Sequence, residues 1–171
     1  MKFNNIELIL KKSSYEFEVN DPVYQKSDCI FCSENSSFGG YSFAYAGLIY
    51  KMLVPVVQFQ NENPVYPLRK ILSLDNLSKP IQICTPVIKN NRVEAKTLMN
   101  EILDVSRKNR FCKIVFTHFI KINQSHHKLN MLGILDALKE NNLNSELSIV
   151  LSIDENHIDS FEAILNEYNN A

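Results

Sequence analysis

The pattern of apolar and polar positions divides this chain of 171 residues into two parts. In the first part the apolar runs are short, and residues 15–19 alternate apolar and charged side chains, as a half-buried strand does. Residues 6–10 and 29–31 are further short strand candidates. Residues 41–60 are rich in aromatic and β-branched side chains, which predicts two antiparallel strands joined by a tight turn at residues 46–47.

The second part, from residue 80 onward, reads as alternating strands and helices. Residues 81–88 and 112–122 are nearly continuous apolar runs, typical of strands that are buried on both faces. Between them, residues 93–109 carry apolar side chains at helical spacing. Because a strand, a long helix and a strand in this order form a βαβ unit, we expect the two strands to be parallel.

The end of the chain continues this order. A helix is predicted at residues 129–139, a strand at 146–154, and a final helix at 157–168 that Asp154 is placed to cap. The predicted fold class is therefore α/β, with a mixed sheet made of an antiparallel hairpin, a βαβ unit and a further strand, followed by a C-terminal helix. We expect one domain over residues 1–171.

Composition narrows the classes of function. A net charge of −1, with no basic run longer than Lys11 and Lys12, argues against binding nucleic acid through charge. The four glycines form no GxGxxG, GxxxxGK[ST] or GxSxG motif, which excludes dinucleotide folds, P-loop NTPases and nucleophile-elbow hydrolases. The sequence therefore predicts no cofactor.

The apolar runs also bear on location. The longest of them, residues 52–57, is too short for a membrane span, and the start of the chain does not form a signal peptide. We therefore expect a cytoplasmic protein without a membrane span.

The four cysteines do not predict a metal site. Cys29 and Cys32 form a CxxC, but a zinc site needs a second ligand pair of similar spacing, so reduced thiols in a partly buried strand are the favoured interpretation. Cys84 and Cys112 lie alone within apolar runs and are expected in the core.

Residues suited to acid–base catalysis do not group by spacing. His118 lies in a predicted strand, and His157 lies in the first turn of a predicted helix, where we expect it to be exposed. Thr85 and Pro86 end a buried strand just before a turn and a helix, the position at which α/β sheets bind ligands. For these two residues, a ligand-lining role and a simple strand end are equal alternatives.

Three segments resemble the N-terminal half of Fem-type peptidyltransferases, the GNAT-fold family that includes the lipid II glycyltransferases. FAYAGLIYKMLVPVVQF is similar to the paired strands of that family. ICTPVIKNNRVEAKTLMNEILDVSRKNRFCKIVFTHF is similar to its strand with an S/T-P turn, helix and strand, and LSIVLSIDENHIDSFEAILNEY to its later strand and helix. The likeness covers residues 41–168.

This resemblance implies a domain related to acyl- and aminoacyl-transferases of peptidoglycan synthesis, and an N-acyltransferase if the chain is an enzyme. Its partner would be a small-molecule or lipid-linked acceptor, bound by Tyr45, Thr85, Pro86, His118 and Lys121, with no residue assigned to catalysis. The chain stops where the second half of the family begins. We therefore expect an acceptor-side half that is incomplete alone, either a truncated reading frame or a subunit that pairs with a partner half or a second copy.

A second resemblance competes with the first. SDCIFCSENSSFGGYSFAYAGLIYKML is similar to the opening of macro domains, where a D-x-I-V-x-x-x-N strand precedes a glycine-rich loop and a helix, and KPIQICTPVI is similar to their later strand. It implies a module that binds ADP-ribose or a nucleotide through backbone amides of glycine loops, although the second loop here, KNNR, has no glycine. A non-enzymatic α/β interaction module is the third alternative.

Overall fold

The computed structural model of this chain describes residues 1–13, 26–33, 69–71, 81–85, 91–117 and 127–170. The predicted strand at 15–19 and the predicted hairpin at 41–60 lie outside these residues. The single domain over residues 1–171 stays a prediction. Among the helices that the structure describes, none has the length and apolar character needed to cross a membrane.

One mixed sheet of seven strands runs through the described residues. In chain order the strands are β1 (Lys2–Phe3), β2 (Ile6–Ser13), β3 (Cys29–Ser33), β4 (Arg69–Ile71), β5 (Ile81–Thr85), β6 (Lys113–Thr117) and β7 (Leu147–Asp154). Their order across the sheet is β1-β2-β7-β6-β3-β5-β4. The strands from β2 to β5 in this order are parallel, and the short edge strands β1 and β4 are antiparallel to their neighbours.

Three helices in the described part of the chain follow three of these strands. They are α1 (Arg92–Asn109) after β5, α2 (His127–Glu140) after β6 and α3 (Ile158–Asn169) after β7. The predicted βαβ unit is confirmed, since β5 and β6 are parallel, with β3 between them and paired to both. The predicted α/β class with a mixed sheet is confirmed as well.

The core lies between this sheet and the helices. Alternate residues are buried at the start of β2, whereas β6 and β7, in the middle of the sheet, are buried at consecutive positions. The register places Leu8 opposite Ile149 and Phe31 opposite Phe116. The rings of Phe31 and Phe116 stack with their centroids 5.0 Å apart. Since fully burying one large apolar side chain stabilises the fold by about 1.5–3 kcal/mol, this layer fixes the position of each helix on the sheet. The helices contribute Leu98, Met99, Ile102, Leu103, Met131, Ile134, Leu135, Leu138, Phe161 and Ile164 to the same cluster.

The predictions made for Asp154 and Cys112 are wrong. Asp154 does not cap the last helix, because it is the final residue of β7 and the N-cap of α3 is His157. Cys112 is exposed rather than in the core, because it lies in the turn before β6. In that turn the backbone N–H groups of Cys112 and Lys113 donate to Oδ2 of Asp28 at 2.7 and 2.9 Å. Cys29 is buried, as its strand position predicts.

Candidate functional site

The candidate site is the carboxyl edge of the sheet, where the five parallel strands end. The crevice outside this edge is the usual ligand position in α/β sheets, because the connections that leave it diverge. Every one of the five strands ends in a residue with a hydroxyl or a carboxylate group. In their order across the sheet these residues are Ser13, Asp154, Thr117, Ser33 and Thr85.

The register shows which of these residues are neighbours. Ser33 pairs with Thr85, and Ser13 pairs with Asp154. Thr117, on the strand between these two pairs, is opposite Cys32 rather than Ser33. The edge therefore carries two matched pairs of polar residues, with β6 ending one register position short of β3.

The first turn of α1 starts at this edge and is capped from within the chain. Asn91, the N-cap, has an extended backbone with φ −147° and ψ 113°. Its side-chain oxygen accepts the N–H groups of Val93 and Glu94 at 2.9 and 3.1 Å, and its own carbonyl accepts the N–H of Ala95 at 3.0 Å. Two of the N–H groups that a helix leaves free at its start are thus already occupied by this asparagine.

A buried asparagine of α2 holds this cap. Oδ1 of Asn130 accepts the backbone N–H of Asn91 at 2.9 Å, and Asn130 is only 6% exposed. One turn further along α2, Gly133 lets the two helices approach closely. A Cβ at Gly133 would lie 2.2 Å from the carbonyl oxygen of Arg92 and 2.9 Å from the backbone nitrogen of Lys96.

An ion pair ties the same turn of α1 to α2 and α3. The guanidinium of Arg92 makes two hydrogen bonds to the carboxylate of Asp136, at 2.6 and 2.8 Å, and the hydroxyl of Tyr168 donates to that carboxylate at 3.0 Å. The hydrogen bond from Arg92 is the main cause that lowers the pKa of Asp136. Burial, followed by the hydrogen bond to Asp136, raises the pKa of Tyr168 to about 12. This cluster of Arg92, Asp136 and Tyr168 is a structural clamp rather than a reactive centre.

The start of α3 differs from that of α1. His157 caps it without a side-chain hydrogen bond, and its Nε2 is buried without a hydrogen-bond partner. The exposure expected for His157 is therefore wrong, since the residue is half-buried. Acidic residues surround this helix start, namely Asp154, Glu155 and Asp159. Glu155 and Asp159 are exposed, so this end of the carboxyl edge carries exposed carboxylates.

The described residues offer no cluster of three or more His, Cys, Asp or Glu side chains that could hold a metal ion. Both residues of the CxxC motif belong to β3, in the middle of the sheet.

Of the residues proposed from the sequence to bind substrate, the structure describes only Thr85, which ends β5 at the carboxyl edge. Tyr45, Pro86, His118 and Lys121 lie outside the described residues. Sequence reasoning missed Asn130, Gly133 and Asp136. The isolated glycine within an apolar helical pattern is a signal of close packing that could have drawn attention to α2.

Comparison with known proteins gives a fold likeness and no sequence match. No family model and no curated protein matches this sequence. The macrodomain of Thermus aquaticus DarG has a TM-score of 0.61 at 9% identity, over 86% of this chain and 99% of that chain. A mutant of the Oceanobacillus iheyensis macrodomain has a TM-score of 0.60 at 14% identity, over 98% of this chain and 94% of that one. The chain therefore shares the fold of these macrodomains.

A mutant of tomato leucine aminopeptidase is similar in part. Its TM-score is 0.58 at 10% identity, over 96% of this chain but 35% of the aminopeptidase chain. This chain thus spans about a third of that protein, and the likeness concerns the fold of that part alone.

These likenesses overturn the resemblance to Fem-type transferases. The expected GNAT-like architecture, acyltransferase activity and role in peptidoglycan synthesis are wrong, since the similar structures with nearly full mutual coverage are macrodomains. The physical reason is that a strand, helix and strand in sequence are common to many α/β folds. The apolar pattern does not reveal that β3 lies between β5 and β6, or that β2 pairs with β7.

Proposed function

We propose that this chain is a macro-type domain that binds ADP-ribose or a related nucleotide diphosphate at the carboxyl edge of its sheet. The observation that carries the proposal is the fold shared with two macrodomains over most of this chain and nearly all of each of theirs. The second resemblance found in the sequence points the same way, because it implies a module that binds ADP-ribose.

The two strands on which that resemblance rests support the proposal. They are β3, within SDCIFCSEN, and β5, within KPIQICTPVI. In the structure they are parallel neighbours, and Ser33 pairs with Thr85 where both end. Because the paired residues of β3 and β5 lie far apart in the sequence, only the fold brings these two strand ends together.

Charge favours one side of the edge for the diphosphate. The acidic residues Asp154, Glu155 and Asp159 lie at the β7 end and repel a dianion. Ser33 and Thr85, by contrast, end their strands in hydroxyl groups, which can donate to phosphate oxygens and bond ribose hydroxyls. We therefore place the diphosphate toward β3 and β5.

The donors for the diphosphate come from elsewhere than the first turn of α1. The side chain of Asn91 already occupies the N–H groups of Val93 and Glu94. We propose instead the segment after β3 with Gly39 and Gly40, because glycine allows backbone amides to approach a phosphate.

The residues proposed from the sequence enter this function as ligand-lining candidates. Pro86 and His118 directly follow in sequence the residues Thr85 and Thr117, which end β5 and β6. Lys121 and Tyr45 are retained as candidates on their sequence positions. The partner is a small molecule, and we propose a cytoplasmic location, where a reduced, exposed thiol such as that of Cys112 persists.

Isothermal titration calorimetry of the purified chain with ADP-ribose tests the function. We expect saturable one-to-one binding, with weaker binding of AMP and of ribose 5-phosphate, because each contains only part of the ligand. Saturation at a hundred times the Kd stabilises the fold by about 2.7 kcal/mol, so the melting temperature should rise by about 5–10 °C. Absence of binding at millimolar ADP-ribose, with no thermal shift, would refute the function.

Two variants locate the site. Replacing Thr85→Val removes the hydroxyl but keeps the β-branched shape, and we expect ADP-ribose binding to weaken by about fivefold, the value of one hydrogen bond. The matched control is Ser145→Ala, an exposed hydroxyl at the opposite edge of the sheet, just before β7. If the two variants bound ADP-ribose with equal affinity, the proposed site at the carboxyl edge would be wrong.

A further inference from the structure

We propose that Asn130 is a positioning residue for the ligand site, acting through Asn91 at the start of α1. The expected effect of Asn130 on ligand binding rests on the proposed function. Neither residue needs to touch the ligand. Their hydrogen bonds fix where α1 begins relative to the carboxyl end of β5, which precedes it in the chain.

The side chain of Asn130 supplies a buried hydrogen-bond acceptor. Asn130 is 6% exposed, and its Oδ1 accepts the N–H of Asn91 at 2.9 Å across the contact between α1 and α2. A polar side chain is costly to bury unless it is hydrogen-bonded, so this residue is matched to this partner.

Asn91 connects this buried contact to the first turn of α1. The extended backbone of Asn91 lets its side-chain oxygen reach the N–H groups of Val93 and Glu94. Asn130 thus holds Asn91 in place, and Asn91 in turn caps the first turn of α1. Asn91 is the third residue of the segment KNNR, which has no glycine.

Other contacts already hold the first turn of α1 against α2. Gly133 packs directly on the backbone of Arg92 and Lys96, and Arg92 is fixed to Asp136 by two hydrogen bonds. Asn91 precedes this turn and its backbone N–H is held by Asn130, so loss of that acceptor would free Asn91 on the side that leads to β5 while Arg92 stays in place. A change in Asn130 should consequently reach the ligand site.

The chain offers a matched control at the far end of the same helix pair. The amide of Asn141, just after α2, donates to Oδ1 of Asn100 in α1 at 2.9 Å and to the carbonyl of Ala137 at 2.8 Å. It joins the same two helices through the same type of side chain. It lies more than two turns of α1 away from the carboxyl edge, because α1 starts at that edge and Asn100 is its ninth residue.

The experiment compares Asn130→Leu, Asn130→Asp and Asn141→Leu by ADP-ribose titration and by amide hydrogen exchange of residues 91–94. Asn130→Leu keeps the size but loses the acceptor, and we expect about tenfold weaker binding and faster exchange of these amides. Asn130→Asp retains an acceptor oxygen and should restore both to within about threefold of the original chain. Asn141→Leu should lower the melting temperature without changing the affinity for ADP-ribose or the exchange rate of residues 91–94.

The outcomes separate this inference from the proposed function. If the original chain does not bind ADP-ribose, the proposed function fails, and the exchange of residues 91–94 still decides whether Asn130 orders the turn. If Asn130→Leu and Asn141→Leu weaken binding equally, or if residues 91–94 exchange at the original rate in Asn130→Leu, the positioning role is overturned. Failure of Asn130→Asp to restore binding and exchange would also count against it.

Discussion

At the scale of single residues, Gly133 shows how a missing side chain shapes the molecule. It lies in the middle of α2, where glycine lowers helix stability by about 1 kcal/mol relative to alanine. The structure offsets this cost, because the backbone of α1 occupies the space that a Cβ would need. The same residue thus weakens one helix and allows two helices to pack.

Replacing Gly133→Ala tests this contact. We expect a loss of about 1–3 kcal/mol in the free energy of unfolding, since the added Cβ meets backbone atoms of Arg92 and Lys96 that have no rotamer to change. Thermal denaturation measures it. If the variant were more stable than the original chain, helix propensity would outweigh the contact and the close approach would be wrong.

The carboxylate of Glu101 lowers the free energy of unfolding at neutral pH. Its Oε2 is buried without a hydrogen-bond partner, and burial raises the pKa of the carboxyl group. Because the pKa is higher in the folded chain than in the unfolded chain, the group favours folding only when protonated. The resulting stability is fully present below the unfolded pKa and is lost as pH rises through the folded pKa.

We therefore expect Glu101→Gln to stabilise the fold at pH 7, by about 0.5 kcal/mol because the side chain is partly exposed. The gain should disappear as pH falls below 4.5, the ordinary pKa of a glutamate, because the carboxyl group then becomes neutral in both states. Denaturant unfolding at pH 7 and pH 4 measures the difference. Glu94→Gln, an exposed acidic residue in the same helix, is the control and should show no comparable gain.

At the scale of elements, α1 and α2 run parallel and in register. Arg92 pairs with Asp136 and Lys96 pairs with Glu140, each 44 residues apart in the sequence. Both ion pairs are partly exposed, so each contributes little by itself. The pair from Arg92 is the stronger, because it has two hydrogen bonds and because Tyr168 of α3 joins it.

Replacing Asp136→Asn should therefore lower the free energy of unfolding by about 1 kcal/mol at pH 7. The pKa of Asp136 is lowered in the fold, so its contribution is present above the unfolded value near 3.8 and is lost as pH falls through the lower folded pKa. The difference between the variant and the original chain should shrink as the pH falls below 3.8. Thermal unfolding between pH 7 and pH 3 measures it.

Tyr168→Phe is the matched control for that experiment. It removes one hydrogen bond to Asp136 and leaves the pair with Arg92 intact, so its effect should be about half as large. A variant at Asp136 whose effect does not change with pH would show that the carboxylate charge contributes nothing to the fold.

The elements of the second part of the chain could be predicted because their signals are local. The spacing of Leu98, Ile102 and Val105 places α1 within one residue of its observed start, and the apolar runs locate β5, β6 and β7. The predicted cap of α3 is wrong, because Asp154 is a residue type suited to capping but is the last residue of β7. Local propensity cannot decide between a strand end and a helix cap when both need the same type of side chain.

At the scale of the whole molecule, the class of the fold could be predicted and its topology could not. Strand order depends on contacts between distant segments, such as β3 with β5, that leave no periodic signal in the sequence. The candidate edge was partly predicted, since Thr85 lies on it. Asn130 could not be found as its partner, because the link joins residues 39 apart and depends on how two helices pack.

The pairing of β2 with β7 has a consequence for the synthesis of this chain. Glu7 and Ser148, which are in register in these strands, are 141 residues apart. At a synthesis rate of about 5–20 residues per second, β2 waits about 7–28 s for its parallel partner to be made. During that time its apolar residues Ile6, Leu8 and Leu10 lack the neighbour that covers them in the finished sheet. The nascent chain therefore presents an unpaired strand edge, the kind of surface that chaperones bind and that aggregates when they do not.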